Sequence, residues 1–286
     1  MRGLVSLTCG TVLCVWLWWT IAPACAETAE AGTAARVDAL LAGGEFDAAL
    51  DTLKAAVAQA PQDQAWRDQF AILRQVVHMR RLMATESDPA KLDRMAQALR
   101  SFYYEHNLYS EAESLDRATH QRVGSHYTAC QLAETLLELG RNAEAVEVLQ
   151  AARVPADAPR GQVLLGIAAA RNGSVDDARR IAETVLAGDE MSPDLLLFAA
   201  RLHALTGDTP AALASLRRCF ERTLPGRLER VKNRARACTD LEPLAAGPEF
   251  ALVLETASKI KVSGCSGGTS CGKCPSRSKC ASADRK

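Results

Sequence analysis

Cysteine is the residue type in this sequence best placed to do chemistry. Of ten, four crowd the last segment, Cys265, Cys271, Cys274 and Cys280, spaced C-x5-C-x2-C-x5-C. Thiols at that density can close two disulfides, wrap a metal such as Zn²⁺ tetrahedrally, or work as a redox dithiol through Cys271 and Cys274. The gaps of five depart from the paired C-x-x-C of zinc ribbons, and a redox dithiol lacks its strand–helix setting here. All three readings stay open, and no metal site or cofactor is assigned. Cys219 and Cys238 lie 19 residues apart on either side of a basic stretch. In an oxidising compartment they are candidates for a disulfide staple, at a distance that sequence alone does not give. Cys130 sits among apolar neighbours and reads as a small core hydrophobe.

The other chemistry-bearing residues point away from catalysis. H-E-x-x-H, the Walker phosphate loop and C-x-x-C-H are all missing. The five histidines, His78, His106, His120, His126 and His203, are scattered and read as packing or surface residues. Acidic residues are spread without a pair that stands apart. The expectation is a protein that is not an enzyme. Between Arg217 and Arg236 there are eight Arg/Lys against two Glu, with Arg227, Arg230 and Arg234 on one helical face. That stripe reads either as an anion-binding patch or, more simply, as a solvated helix face. The formal net charge is zero, so no global field draws in nucleic acid or an anionic membrane.

These residues need a scaffold, and composition says it is helical. Hydrophobic residues make up 48%, which suffices for a sizeable core, and aromatics only 5%. Alanine and leucine, both strong helix formers, dominate, and no strand pattern is convincing. The N-terminal segment stands apart from the fold. Arg2 precedes an apolar run, Val12 to Trp19 and on to Ile21-Ala22, then Pro23 and the small triplet Ala24-Cys25-Ala26. This is the shape of a secretory signal peptide, residues 1–26, cut after Ala26 to leave Glu27 first. The alternatives are an uncut anchor, short for a span of about 20 apolar residues, or lipidation at Cys25. Each reading exports the chain, to a periplasmic or extracellular location, with the membrane touched only through that segment.

Five short segments then recur: Gly44 to Ala49, Asn107 to Ala112, Gly140 to Ala145, Gly173 to Ala178, and Gly207 to Ala212. Each opens on Gly or Asn and reaches Ala five residues later. The last four begin 33, 33 and 34 residues apart. Gly or Asn is the cheapest residue for the positive φ of a turn between antiparallel helices. An alanine one turn into the following helix lets two helices approach closely. Seven residues further on the residue is again small or medium: Ala56, Thr119, Ala152, Val185 and Cys219. The interval from Gly44 to Asn107, 63 residues, is not two clean repeats. It holds a helical pattern from about 63 to 85, then Asp88-Pro89 as a cap and first turn of another helix to about 106; Ser192-Pro193 opens a helix the same way. About a dozen helices are expected.

The pattern resembles the tetratricopeptide repeat family over roughly residues 30 to 225, best in the first copy, from Gly44 and Phe46 through Ala49, Leu53 and Ala56 to Pro61. The aromatic after the turn is kept in Tyr109 but lost at Asn142, Val175 and Thr209. The resemblance implies an all-α, right-handed superhelical solenoid of antiparallel helix pairs over 27–225. A basic helix and capping helix would follow over 226–260, then a disordered, Cys-rich tail over 261–286. The capping segment runs from Asp240 to Leu254.

In this family the first helix of each pair lines a groove. Carried over by register, that groove comprises Tyr104, Glu105, Tyr127, Glu134, Leu137, Arg160, Ile167, Arg171 and Arg201. The implied function is an exported scaffold or adaptor that holds another protein or a peptide segment of it. The competing reading is a metal- or thiol-handling protein whose working part is the Cys cluster, with the repeats as a docking platform.

Overall fold

The computed structural model describes residues 22–186 and 191–261, with side chains from residue 31 onward. Among the described residues the chain is helical throughout, with fourteen α-helices and one 3₁₀ turn. It divides into two compact units, Met1–Arg122 and Val123–Lys286, where the sequence suggested one repeat run to residue 225.

The first unit holds α1 (Ala22–Ala42), α2 (Phe46–Gln59), α3 (Gln64–Thr85), α4 (Pro89–Glu105) and α5 (Tyr109–Val123). The irregular 63-residue interval is explained by α3. This helix of 22 residues stands between the hairpin that turns at Gly44 and the one that turns at Asn107. The start of α4 follows the expected cap, and α3 begins on one of the same kind. The Asp63 carboxylate accepts from the amides of Ala65 and Trp66, and Asp88 does the same for Ala90 and Lys91 ahead of Pro89.

The second unit contains three consecutive hairpins. They are α6 (His126–Glu138) with α7 (Asn142–Ala151), α8 (Pro159–Arg171) with α9 (Val175–Val185), and α10 (Pro193–Leu205) with α11 (Thr209–Arg222). After them come α12 (Pro225–Ala237), the 3₁₀ turn Thr239–Leu241, α13 (Glu242–Ala245) and α14 (Pro248–Leu254). The expected closing helix is thus three short elements, which place Leu241, Leu244, Phe250 and Val253 in the same core as the hairpins.

One turn chemistry closes every hairpin. Gly44, Gly140, Gly173, Gly207 and Asn107 all have positive φ, from 55° to 89°. The residue after each donates its amide to the carbonyl five residues back, for example Arg141 to Leu136 at 2.8 Å and Ser174 to Ala169 at 2.9 Å. This left-handed cap satisfies carbonyls that the helix end would otherwise leave open. The alanine five residues on, Ala49, Ala112, Ala145, Ala178 and Ala212, is completely buried in every copy. Of the later positions Ala56, Thr119 and Cys219 are buried, while Ala152 and Val185 are partly so. Close approach also governs α8. A Cβ on Gly166 would stand 3.0 Å from the Leu202 side chain of α10 and 3.2 Å from Ile181 of α9.

Candidate functional site

In the second unit the first helices α6, α8 and α10 bring their charged side chains to one face. Glu134 of α6, buried, accepts from Arg160 of α8 at 2.6 Å and from Arg234 of α12. Glu138, one turn further along α6, accepts from Arg201 of α10 at 2.7 Å and lies 3.7 Å from Arg234. Asp240 in the 3₁₀ turn holds the Nε of Arg171 and the Nε of Arg201, each at 2.8 Å. Arg171 also donates to the Leu137 carbonyl. Four arginines and three carboxylates therefore form one connected network.

The network is built around an aromatic ring. The guanidinium carbons of Arg160, Arg201 and Arg234 lie 5.5, 5.8 and 5.8 Å from the Phe198 centroid, and Arg160 lies 5.7 Å from Tyr127. Guanidinium over a ring face is attractive, and more so where water is excluded. Arg201 is 1% exposed. Burial alone would pull its pKa down. The charges of Glu138 and Asp240 and the Cys238 thiol outweigh burial and hold it above the ordinary arginine value. The side chain stays charged in the interior, and its Nη2, like the Nε of Arg160, has no hydrogen-bond partner.

The repeat register explains why these residues meet. Glu134, Ile167 and Arg201 are successive copies of one position, as are Glu138 and Arg171. A single position on the first helix therefore reappears on the same face in each pair. Two overlapping stretches of the chain, residues 130–190 and 163–219, match the tetratricopeptide repeat family. Residues 130–219 therefore carry the sequence signature of tetratricopeptide repeats. A crystal structure of a thermophilic tetratricopeptide repeat protein from Thermus thermophilus is 20% identical with a TM-score of 0.39, over 79% of this chain and 98% of that one. No curated protein matches the chain.

The tetratricopeptide first-helix face is not the open groove drawn from sequence. Of the nine residues assigned to it, Leu137 and Ile167 are buried in the hairpin core, and Glu134 and Arg201 are buried where Arg234 of α12 and Asp240 of the 3₁₀ turn reach onto the face. Arg160 and Arg171 are mostly covered, and Tyr127, 39% exposed, is the accessible one in this unit. Tyr104 and Glu105 belong to the first unit. Tyr104 sits in a local cluster where Arg100 bonds its hydroxyl at 2.6 Å and Asp116 at 3.0 Å, and Tyr109 packs edge-on against it at 5.3 Å. Glu105 is exposed.

Sequence reasoning missed Glu138, Phe198 and Asp240. The first two had a signal: Glu138 is four residues from Glu134 and Phe198 three from Arg201, so each shares a helix face with a chosen residue. Asp240 lies outside the repeats and had none. Arg234 was noticed only within the basic stripe. In the structure it turns inward, whereas Arg227 and Arg230 remain exposed.

Among the described cysteines, Cys130, Cys219 and Cys238 are free thiols, so the staple between Cys219 and Cys238 is not formed. Cys219 faces the start of α10 instead, donating to the Pro193 carbonyl at 3.2 Å. Cys130 is a buried core residue, as expected. Cys265, Cys271, Cys274 and Cys280 lie outside the described residues. No group of three or more His, Cys, Asp or Glu among the described residues could hold a metal ion. No described helix is long and apolar enough to cross a membrane.

Burial pushes the Cys219 thiol up to about 12, from an ordinary value of 9.0. A folded-state pKa raised in this way gives stability that is full below pH 9 and is lost as pH climbs towards 12. Urea midpoints measured by circular dichroism between pH 8 and 11 should therefore fall more steeply for wild type than for Cys219→Ala. Parallel curves would show that the thiol does not titrate against burial.

Proposed function

We propose that this protein is an exported scaffold that holds a segment of another protein on the first-helix face of its second unit. The supporting observation is the coincidence of the tetratricopeptide stretch with that face. Repeats 33 and 34 residues apart bring Arg160, Arg171 and Arg201 into one ionic network with Glu134, Glu138 and Asp240 beside Phe198, with Tyr127 5.7 Å from Arg160. A face with rings, both charge signs and a covered apolar floor suits a peptide or helical segment better than a small molecule. The N-terminal segment of residues 1–26 supports export. The alternative, a metal- or thiol-handling protein, predicts stoichiometric metal that is lost when residues 264–286 are removed.

The test is photo-crosslinking of the full chain in its own host. A photoreactive residue is placed at Tyr127 on the first-helix face or at Glu147, exposed on α7. The expected result is one discrete adduct from position 127 and none from 147, on a chain that mass spectrometry shows to begin at Glu27. Equal adducts from both positions, or none from 127, would contradict the binding face.

A further inference from the structure

The face already has an occupant, and the occupant's chemistry defines the partner. Helix α12 lies over it as a strap. Leu228 and Val231 are half-buried and Ala235 is buried, so the helix presents an apolar stripe at i, i+3 and i+7. Beside that stripe Arg234 reaches in, bonds Glu134, approaches Glu138 to 3.7 Å and places its guanidinium 5.8 Å from the Phe198 ring. Of the remaining cations of the helix, Lys232 is buried and pairs with Glu229 at 3.3 Å, while Arg227, Arg230 and Arg236 are exposed.

The strap is held differently from the hairpins it covers. Only Lys232 and Ala235 of its thirteen residues are buried, against eight of thirteen in α10. Its anchors lie beyond both ends. Thr223 bonds the Cys219 carbonyl at 2.7 Å, and Asp240 is pinned by Arg171 and Arg201. A helix attached mainly by one inward arginine, a three-residue stripe and a buried Lys232 whose ion pair stays within the helix can lift between fixed ends while the hairpins stay packed.

We propose that α12 is an internal stand-in for the ligand: the partner contributes an arginine-bearing amphipathic helix that displaces α12 and seats its own arginine on Glu134 and Glu138 over Phe198. Charge complementarity selects that partner. Lifting Arg234 leaves Glu134 with Arg160 and Glu138 with Arg201, two carboxylates each one cation short beside a ring face, a seat for a guanidinium and a poor one for an acidic peptide. The strap also sets a threshold. While it occupies the seat, the apparent affinity for a competitor is reduced by the fraction of molecules whose seat is open.

The inference rests on the binding face proposed above, and its test is independent of finding the natural partner. A fluorescein-labelled peptide of residues 223–237 serves as the probe, titrated by anisotropy into the full chain. Arg234→Ala in the full chain weakens its own strap, so the peptide should bind this variant at least about tenfold more tightly than wild type. The same peptide carrying Arg234→Ala should lose that binding. Hydrogen exchange on wild type with excess peptide should show amides of 225–237 losing protection while α6 to α11 keep theirs, which also reads the strap if the variant folds poorly. Equal binding to wild type and variant, no binding to the variant, or an Ala peptide as good as its parent would overturn the proposal. So would a wild-type chain that doubles its mass with concentration by exchanging α12 between copies, since the seat would then belong to a second copy. Peptide exchange without crosslinks from position 127 would remove the proposed function and leave the strap; the reverse would remove the strap alone.

Discussion

Arg201→Ala should destabilise the second unit by about 3–5 kcal/mol, the cost of stripping the partner from buried opposite charges. Arg201 is 1% exposed and bridges Glu138 and Asp240, so its removal leaves both carboxylates in a dry interior with one cation fewer. Arg201→Lys should recover only part of the loss, because an ammonium is a point charge and cannot reproduce the fork that reaches two acids. The control is Arg180→Ala, which removes an ion pair to Asp177 whose side chains are 74% and 61% exposed. That change should cost no more than about 0.5 kcal/mol, as surface pairs do. Trp66 of the first unit is the sole tryptophan beyond the N-terminal apolar segment. Hydrogen exchange of α6 to α11 under increasing urea is therefore the measurement that reads the right unit.

Phe198→Ala should be comparably severe, about 3–5 kcal/mol, for a different reason. The ring is 1% exposed and lies within the core formed by α6, α8, α10 and α11. Truncation leaves a cavity that hairpins already in close contact cannot collapse to fill. Three guanidiniums lose their ring face in the same step. Phe198→Leu separates the two contributions. It keeps most of the apolar volume and should cost about 1–2 kcal/mol, chiefly the cation–ring attraction. The same exchange measurement checks both variants. A leucine variant as damaged as the alanine one would mean that the ring's electrostatics outweigh its volume.

The fold was legible because its instructions are local. A positive-φ turn residue and an alanine one helical turn later are short-range requirements, and each of the five copies carries both. Asp88 and Ser192 announced helix starts through their own side chains. The candidate site was legible only in part. The register placed Glu134, Arg160, Arg171 and Arg201 on a common face, and they do meet. What the register could not convey is that the chain returns to that face. Arg234 and Glu134 are 100 residues apart and Asp240 and Arg171 are 69 apart, and neither pairing has a periodicity to reveal it. Leu137 and Ile167, assigned to the groove, pack instead into the core of the second unit, and the repeat position of Ile167, which carries Glu134 and Arg201 in its other copies, does not announce that. The staple between Cys219 and Cys238 was drawn from spacing alone, and spacing says nothing about which way a thiol points.

The structural and functional readings share one requirement: first-helix side chains two repeats apart must touch. A double-mutant cycle between Glu138 and Arg201, on α6 and α10, measures that contact directly. Wild type, Glu138→Ala, Arg201→Ala and the double variant are compared by urea-dependent hydrogen exchange of the second unit. The predicted coupling is about 1–3 kcal/mol, the range for residues in one ionic network. Effects that simply add, within about 0.5 kcal/mol, would show that the helices do not bring this pair together.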